Sequence, residues 1–436
     1  MYLTDRSASA QADSEQGRRR GPGHRVAPVV LVLGSVSLIT DISSEMVTAV
    51  LPLYLVTTLG FTPLVFGTLD GVYNGVSALV QLTGGHLADR VRNHKLMAGL
   101  GYGLSALCKP LLLLVSSVGA LGTVLALDRT GKGLRTAPRD AMISLSTPSD
   151  KQGRAFGVHR AMDTTGAMLG PLAAFFILRA ATDGYDAVFG VSACVAVLGV
   201  LVLVLFVPGR GRVARPDEAG AEAATGSEAG SAAGSAGRPP VRVREALALL
   251  KLPRLRALTI CAALLGLTTV SDAFVYLLLQ RRAGIGDEWF PLLPLGTAAV
   301  FLLLAVPLGA LADRVGRRTV FLAGHVSLLT GYALLLWAPS TPALPFLVLA
   351  LHGLFYAATD GVLPAALADI VPEQLRASGL AIVGTGQALA RFCCSLAFGA
   401  AWTVWGDGPA LAGSAVGLLC CAAVAGMVLR PGGETR

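Results

Sequence analysis

Charge is scarce in this 436-residue chain: Asp, Glu, Lys and Arg make up 14% of it, against 53% hydrophobic residues. With a mean hydropathy of +0.65, that scarcity excludes an ordinary soluble domain, in which about a quarter of residues are charged. No H-E-x-x-H or G-x-S-x-G stretch occurs, so the sequence offers no metallohydrolase or nucleophile-elbow signal. None of the seven cysteines has C-x-x-C spacing, and all fall in apolar stretches, where they read as small packing residues. No metal and no cofactor are expected. The first 26 residues lack the apolar core and cleavage site of a secretory signal. The net charge of +8 is spread over short segments, with no basic helix interleaved with aromatics, so no nucleic-acid partner is expected.

What is present is a series of apolar runs of about 20 residues, the length that crosses a bilayer as a helix. They predict twelve spans: 28–58, 64–88, 96–117, 119–147, 154–180, 185–208, 255–281, 289–312, 319–338, 343–369, 376–403 and 408–430. Arg18 to Arg20 and Arg25, then Arg90, Arg92 and Lys95, then Lys151 and Arg154, then Arg314, Arg317 and Arg318 all fall on one side of these spans. Short cytoplasmic loops retain Lys and Arg, which predicts a multi-pass protein of the cell membrane with both termini cytoplasmic and anionic lipid headgroups as partners.

Residues 219–236 consist almost entirely of Ala, Gly, Ser and Glu, a composition with too little apolar surface to fold alone. The expected organisation is a disordered cytoplasmic N-terminus over 1–27, a six-helix bundle over 28–208, a cytoplasmic linker over 209–254, a second six-helix bundle over 255–430 and a cytoplasmic tail over 431–436. The bundles repeat each other. Gly85-His86-Leu87-Ala88-Asp89-Arg90-Val91 returns as Gly309-Ala310-Leu311-Ala312-Asp313-Arg314-Val315 at an offset of 224, and Arg154-Ala155-Phe156-Gly157 as Arg376-Ala377-Ser378-Gly379 at 222. Parallel repeats with a solute site between them mark secondary transporters.

On these residues the chain resembles the major facilitator superfamily across 28–430. The resemblance implies an all-α membrane protein of twelve helices in two six-helix pseudo-repeats. Gly85, Asp89 and Arg90, with Gly309, Asp313 and Arg314 as their copies, look like the family's gating loop motif, in which the aspartate meets a helix N-terminus of the other half. The alternative for Asp89 and Arg90 is a plain interfacial ion pair. The first copy lacks the motif's second glycine, which the second keeps at Gly316.

The fourth span carries Asp128, Arg129, Lys132, Arg135, Arg139 and Asp140. A charge at mid-bilayer costs about 2.5 to 3.5 kcal/mol, so such groups need a partner or a water-filled path. Spacings of three, three and four keep the four cations on one stripe. Arg129 and Gly133 lie where the family places its helix-four R-x-x-x-G motif. Arg129, Lys132 and Arg135 are solute-binding candidates, or else members of a permanent ion-pair cluster. Asp41 and Glu45, four apart on the first span, are their expected counter-ions and the leading proton-coupling candidates.

The fifth span holds Asp163, a further proton-coupling candidate, then Gly166, Gly170 and Pro171, similar to the antiporter-associated helix-five motif of facilitator drug exporters, with Ala173 and Ala174 at its closing glycines. Close helix packing alone also explains these glycines. In the second half, Asp272 and Asp360 are candidates for coupling or solute contact and Arg391 for solute contact. The expected protein is thus no enzyme but a monomeric, proton-coupled secondary transporter of a small molecule, exporting it by proton antiport. The alternatives are a proton symporter importing an anionic metabolite or metal chelate and, from another class, a membrane-embedded enzyme or receptor.

Overall fold

The computed structural model describes residues 27–90, 93–148, 152–208, 251–360, 362, 367, 371 and 376–428. The expected N-terminal segment up to residue 26, the linker from 209 to 250 and the tail beyond 428 lie outside them. The described residues form the helices α1 (Pro28–Leu53), α2 (Pro63–Arg90), α3 (His94–Leu111), α4 (Val118–Leu145), α5 (Gln152–Ala180), α6 (Gly184–Phe206), α7a (Pro253–Gly266), α7b (Asp272–Ala283), α8 (Leu292–Val315), α9 (Arg317–Trp337), α10 (Leu344–Thr359), α11 (Arg376–Trp405) and α12 (Asp407–Val428). With α7a and α7b as one interrupted span, these are twelve spans in two six-helix halves.

Local chemistry sets several boundaries. Pro28 opens α1, where its missing N–H costs nothing, and the side chains of Asn93 and Ser117 cap α3 and α4 by accepting from Leu96 N and Ala120 N. Gly316, at φ 95°, makes the turn between α8 and α9, a conformation that side chains resist. Seven of the helices are long and apolar enough to cross a membrane by length and composition alone. α4 falls short because of its charges, α10 because its described helix has 16 residues, and α7 because it is broken.

That break corrects the continuous helix expected over 255–281. The hydroxyls of Thr268 and Thr269 bond back to the Leu265 carbonyl, while Ser271 takes an extended N-cap conformation ahead of Asp272. Such residues offer the backbone alternatives to the helix. The buried Val270 N–H, freed from the helical ladder, donates to Tyr332 Oη at 2.9 Å.

Within the first half α1 packs on α5 and α6, and α3 on α4; within the second, α10 packs on α8 and α9. The halves meet along α2 and α11. A Cβ on Gly67 would collide with the Ser395 carbonyl and one on Gly399 with the Pro63 carbonyl, so these glycines set the separation of the two helices. Phe66 stacks edge-on against Phe274, and Leu64 N–H donates to Thr403 Oγ1 at 2.9 Å. These contacts, with that of Phe175 on Trp289, close the interface on the face holding the α1–α2 and α7–α8 connections.

Candidate functional site: an interhelical cavity beside an ion-pair ladder

Behind that closed face a cavity of about 380 Å³ lies between the halves. Its wall takes Glu45 and Thr48 from α1, Asp70, Tyr73 and Asn74 from α2, Asp272 and Tyr276 from α7b, Thr297 and Phe301 from α8, and Tyr356, Asp360 and Arg391 from the α10 and α11 side. A cavity of this size, part aromatic and part polar, is of the kind that holds a small organic ligand.

The cations of α4 form a ladder beside it. Arg129 Nη2 donates to Asp128 Oδ2 at 2.7 Å, and Lys109 of α3 donates to the other oxygen of the same carboxylate at 3.0 Å. Arg129 also lies 4.0 Å from the centre of the Tyr73 ring, so an aromatic face stands against its guanidinium where Tyr73 lines the cavity. Lys132 Nζ lies 3.6 Å from Glu45, and Arg135 Nη2 donates to Asp41 at 3.1 Å. Arg139 Nε donates to Asp140 at 3.0 Å, and its Nη1 donates to Ser37 Oγ at 3.2 Å and lies 3.7 Å from Asp163. Asp163 sits near Asp41, which brings two carboxyls from α1 and α5 together.

Burial grades this ladder. Arg129 and Arg135 are buried, whereas the Lys132 side chain is 39% exposed and its partner Glu45 26% exposed. Arg129 is held by Asp128 of its own helix, not by the acids of α1, because its neighbour in sequence and Lys109 converge on the α3 side.

The second-half candidates line the cavity. Asp272 opens α7b and accepts from Tyr356 Oη at 2.6 Å, with His352 Nε2 3.0 Å from the same oxygen. Asp360 and Arg391 border both this cavity and a second one of about 150 Å³ that reaches His325 and Gln387. Asp70 accepts from Ser395 Oγ at 2.6 Å and from Asn74 Nδ2 at 3.3 Å. The cavity residues Tyr73, Asn74, Tyr276, Thr297 and Tyr356 carry no charge to mark them; the place of Tyr73 and Asn74 beside Asp70, of Tyr276 beside Asp272 and of Tyr356 beside Asp360 is the one sequence signal for four of them, and Thr297 has none.

The repeated loop motifs are far from this wall. Gly85, Asp89 and Arg90 end α2, and their side chains lie outside the described residues. In the second copy Gly309 has open space where a Cβ would go, Arg314 is exposed, and Asp313 lies 3.6 Å from Arg317. Gly166 and Gly170 press α5 against α1: a Cβ on Gly170 would come within 2.8 Å of Glu45 Cβ and the Ile42 carbonyl, and one on Gly166 would overlap the Leu38 carbonyl. Pro171 follows within α5 and is buried.

The family model described as Major Facilitator Superfamily matches residues 33–303 and 290–436. The chain is 29% identical over 401 residues to an uncharacterised MFS-type transporter of Methanocaldococcus jannaschii, covering 89% of this chain and 92% of that one. It is 31% identical over 188 residues to an uncharacterised protein of Mycobacterium tuberculosis, covering 43% and 45% of the two chains. Among solved structures, the nucleoside transporter NupG superposes with a TM-score of 0.75 at 14% identity, over 93% of this chain and 100% of that one. A bacterial homologue of the human lysosomal transporter Spinster, inward-facing and unoccupied, gives 0.71 at 15% identity, over 94% and 98%. At these identities the structural likeness concerns the fold.

Proposed function

This chain belongs to the major facilitator superfamily, and from that premise we propose that it exports a small solute by proton antiport. Membership makes it a multi-pass membrane transporter and not an enzyme. The coupling rests on one observation: Glu45 both lines the cavity and holds Lys132. A proton arriving from the cavity on Glu45 cancels its charge and releases Lys132, so the ladder registers what the cavity contains. Asp41 and Asp163, close to each other one turn further along, are placed to share a second proton. The packing of Gly166 and Gly170 on α1 keeps Asp163 and Glu45 in register with that exchange.

Symport of an anionic metabolite or metal chelate would draw on the cations of α4. Arg129 and Arg135, however, are buried on carboxylates, which leaves that reading with Lys132 and Arg391. In the proposed orientation the basic loops and both termini are cytoplasmic, the membrane is the cell membrane with anionic headgroups beside those loops, and the protein works as a monomer. A Ser231→Cys variant then reacts with an impermeant maleimide only after the cells are opened; labelling of intact cells refutes this topology.

The coupling test begins with a thermal-shift screen of the purified protein against acidic metabolites, metal chelates and amphipathic cations. In proteoliposomes the solute so found should be moved by an imposed pH gradient. Glu45→Gln and Asp41→Asn should abolish that movement and spare solute exchange. Gradient-driven transport intact in both variants removes them from the mechanism.

A further inference from the structure

The ladder is balanced in charge and the cavity wall is not. Along α4 each cation has a carboxylate, and the doubly shared Asp128 is assisted by the Tyr73 ring. Among the described residues the wall has Asp70, Asp272 and Asp360 against one cation, Arg391, with Glu45 already taken by Lys132. The acids come from three helical elements in both halves, around a cavity large enough for a ligand.

His352 is 2% exposed, and its Nε2 faces Asp272. The Asp272 side chain, 44% exposed to the cavity, accepts from Tyr356 Oη and shares the field of the Arg391 charge with Asp360. The rest of the wall supplies ring surface from Tyr73, Tyr276, Phe290 and Phe301. Carboxylates beside aromatic faces in a partly desolvated cavity favour a cation that has an apolar body.

We propose that this cavity binds an organic ammonium ion with an aromatic or apolar body, its charge lying between Asp70 of α2 and Asp272 of α7b. Because one carboxylate comes from each half, the bound cation draws the halves together around itself. The inference rests on the reading of the cavity as the solute site of an antiporter, and it gives that exchange a physical form. Glu45 lines the same cavity, so the ammonium charge favours its ionised form and opposes the proton there, and each displaces the other.

Three probes of matched size separate the possibilities on the full-length protein in lipid nanodiscs: phenethylamine, 2-phenylethanol and 3-phenylpropionate. Calorimetry should show phenethylamine binding at least about tenfold more tightly than either of the others. Asp272→Asn and Asp70→Asn should each lower that affinity about tenfold while the melting temperature, measured alongside, reports that the variant is folded. Two variants in different halves guard against one that does not fold. Tighter binding of phenylpropionate, binding of none of the three at millimolar concentration, or an ammonium preference surviving in both variants overturns the proposal. Selective amine binding without movement under a pH gradient would instead refute antiport and leave the site standing. Gradient-driven exchange of an anion against protons would do the reverse.

Discussion

Ser395 of α11 donates a 2.6 Å hydrogen bond to the Asp70 carboxylate of α2, joining the two halves of the protein beside the cavity. Asp70 thus belongs at once to the wall that would meet a solute and to the seam that closes one face. A hydrogen bond to a charged acceptor contributes about 1.5 to 3 kcal/mol. Ser395→Ala should shift the population about tenfold or more towards molecules open on this face. Spin labels at Thr62→Cys and Val404→Cys, on the two sides of the seam, should then show a second, longer distance. An unchanged distance distribution would mean that the glycine-mediated packing of α2 on α11 holds the seam by itself.

The ladder makes a contrasting pair of predictions. Arg135 and Asp41 are buried together, so Arg135→Gln strands a carboxylate and should destabilise the protein by about 3 to 5 kcal/mol, with part of that loss recovered by adding Asp41→Asn. Thermal unfolding of the single and double variants reads this directly. Equal losses in the single and the double variant would show that the pair does not act as a unit.

Lys132 should behave differently, since its side chain is 39% exposed and that of Glu45 26% exposed. An exposed ion pair is worth about 0 to 1 kcal/mol, so Lys132→Gln should leave the melting temperature nearly unchanged. A fall as large as that of Arg135→Gln would place Lys132 among the structural cations.

The α1–α5 contact gives a steric prediction. Gly170→Ala puts a methyl group against Glu45 and the Ile42 carbonyl, and helix backbone cannot step aside as a side-chain tip can. Overpacking of this kind costs about 1 to 3 kcal/mol. Gly157→Ala, at a position in the same helix with open space around it, should instead be neutral or stabilise by up to about 1 kcal/mol. Parallel melting curves decide it, and equal effects at the two positions would discount the close approach.

Much of this arrangement can be read from spacing. Asp41 and Glu45 stand four apart on α1, Lys132 and Arg135 three apart on α4, and two helices side by side can match such steps, as the contacts Lys132–Glu45 and Arg135–Asp41 do. Spacing does not give rotation about the helix axis. Asp128 lies next to Arg129 in sequence, and only the packing of α3 on α4 turns it towards Lys109. The cavity was illegible for another reason: Tyr276, Thr297 and Tyr356 are unremarkable as residues and acquire meaning from convergence. The interruption of α7 did leave a trace, in Thr268-Thr269 followed by Ser271-Asp272, but its apolar flanks outweighed it.

That interruption also changes how the seventh span can respond to its surroundings. α7a has 14 residues and α7b 12, which at about 1.5 Å per residue makes rods of roughly 21 and 18 Å, each shorter than the roughly 30 Å hydrocarbon thickness. Neither rod can be anchored at both surfaces, so each works as a lever held at one surface, with its fulcrum in the interior at Thr269 to Ser271. A change of tilt at one surface need not be transmitted to the other, and bilayer thickness acts on the two levers separately.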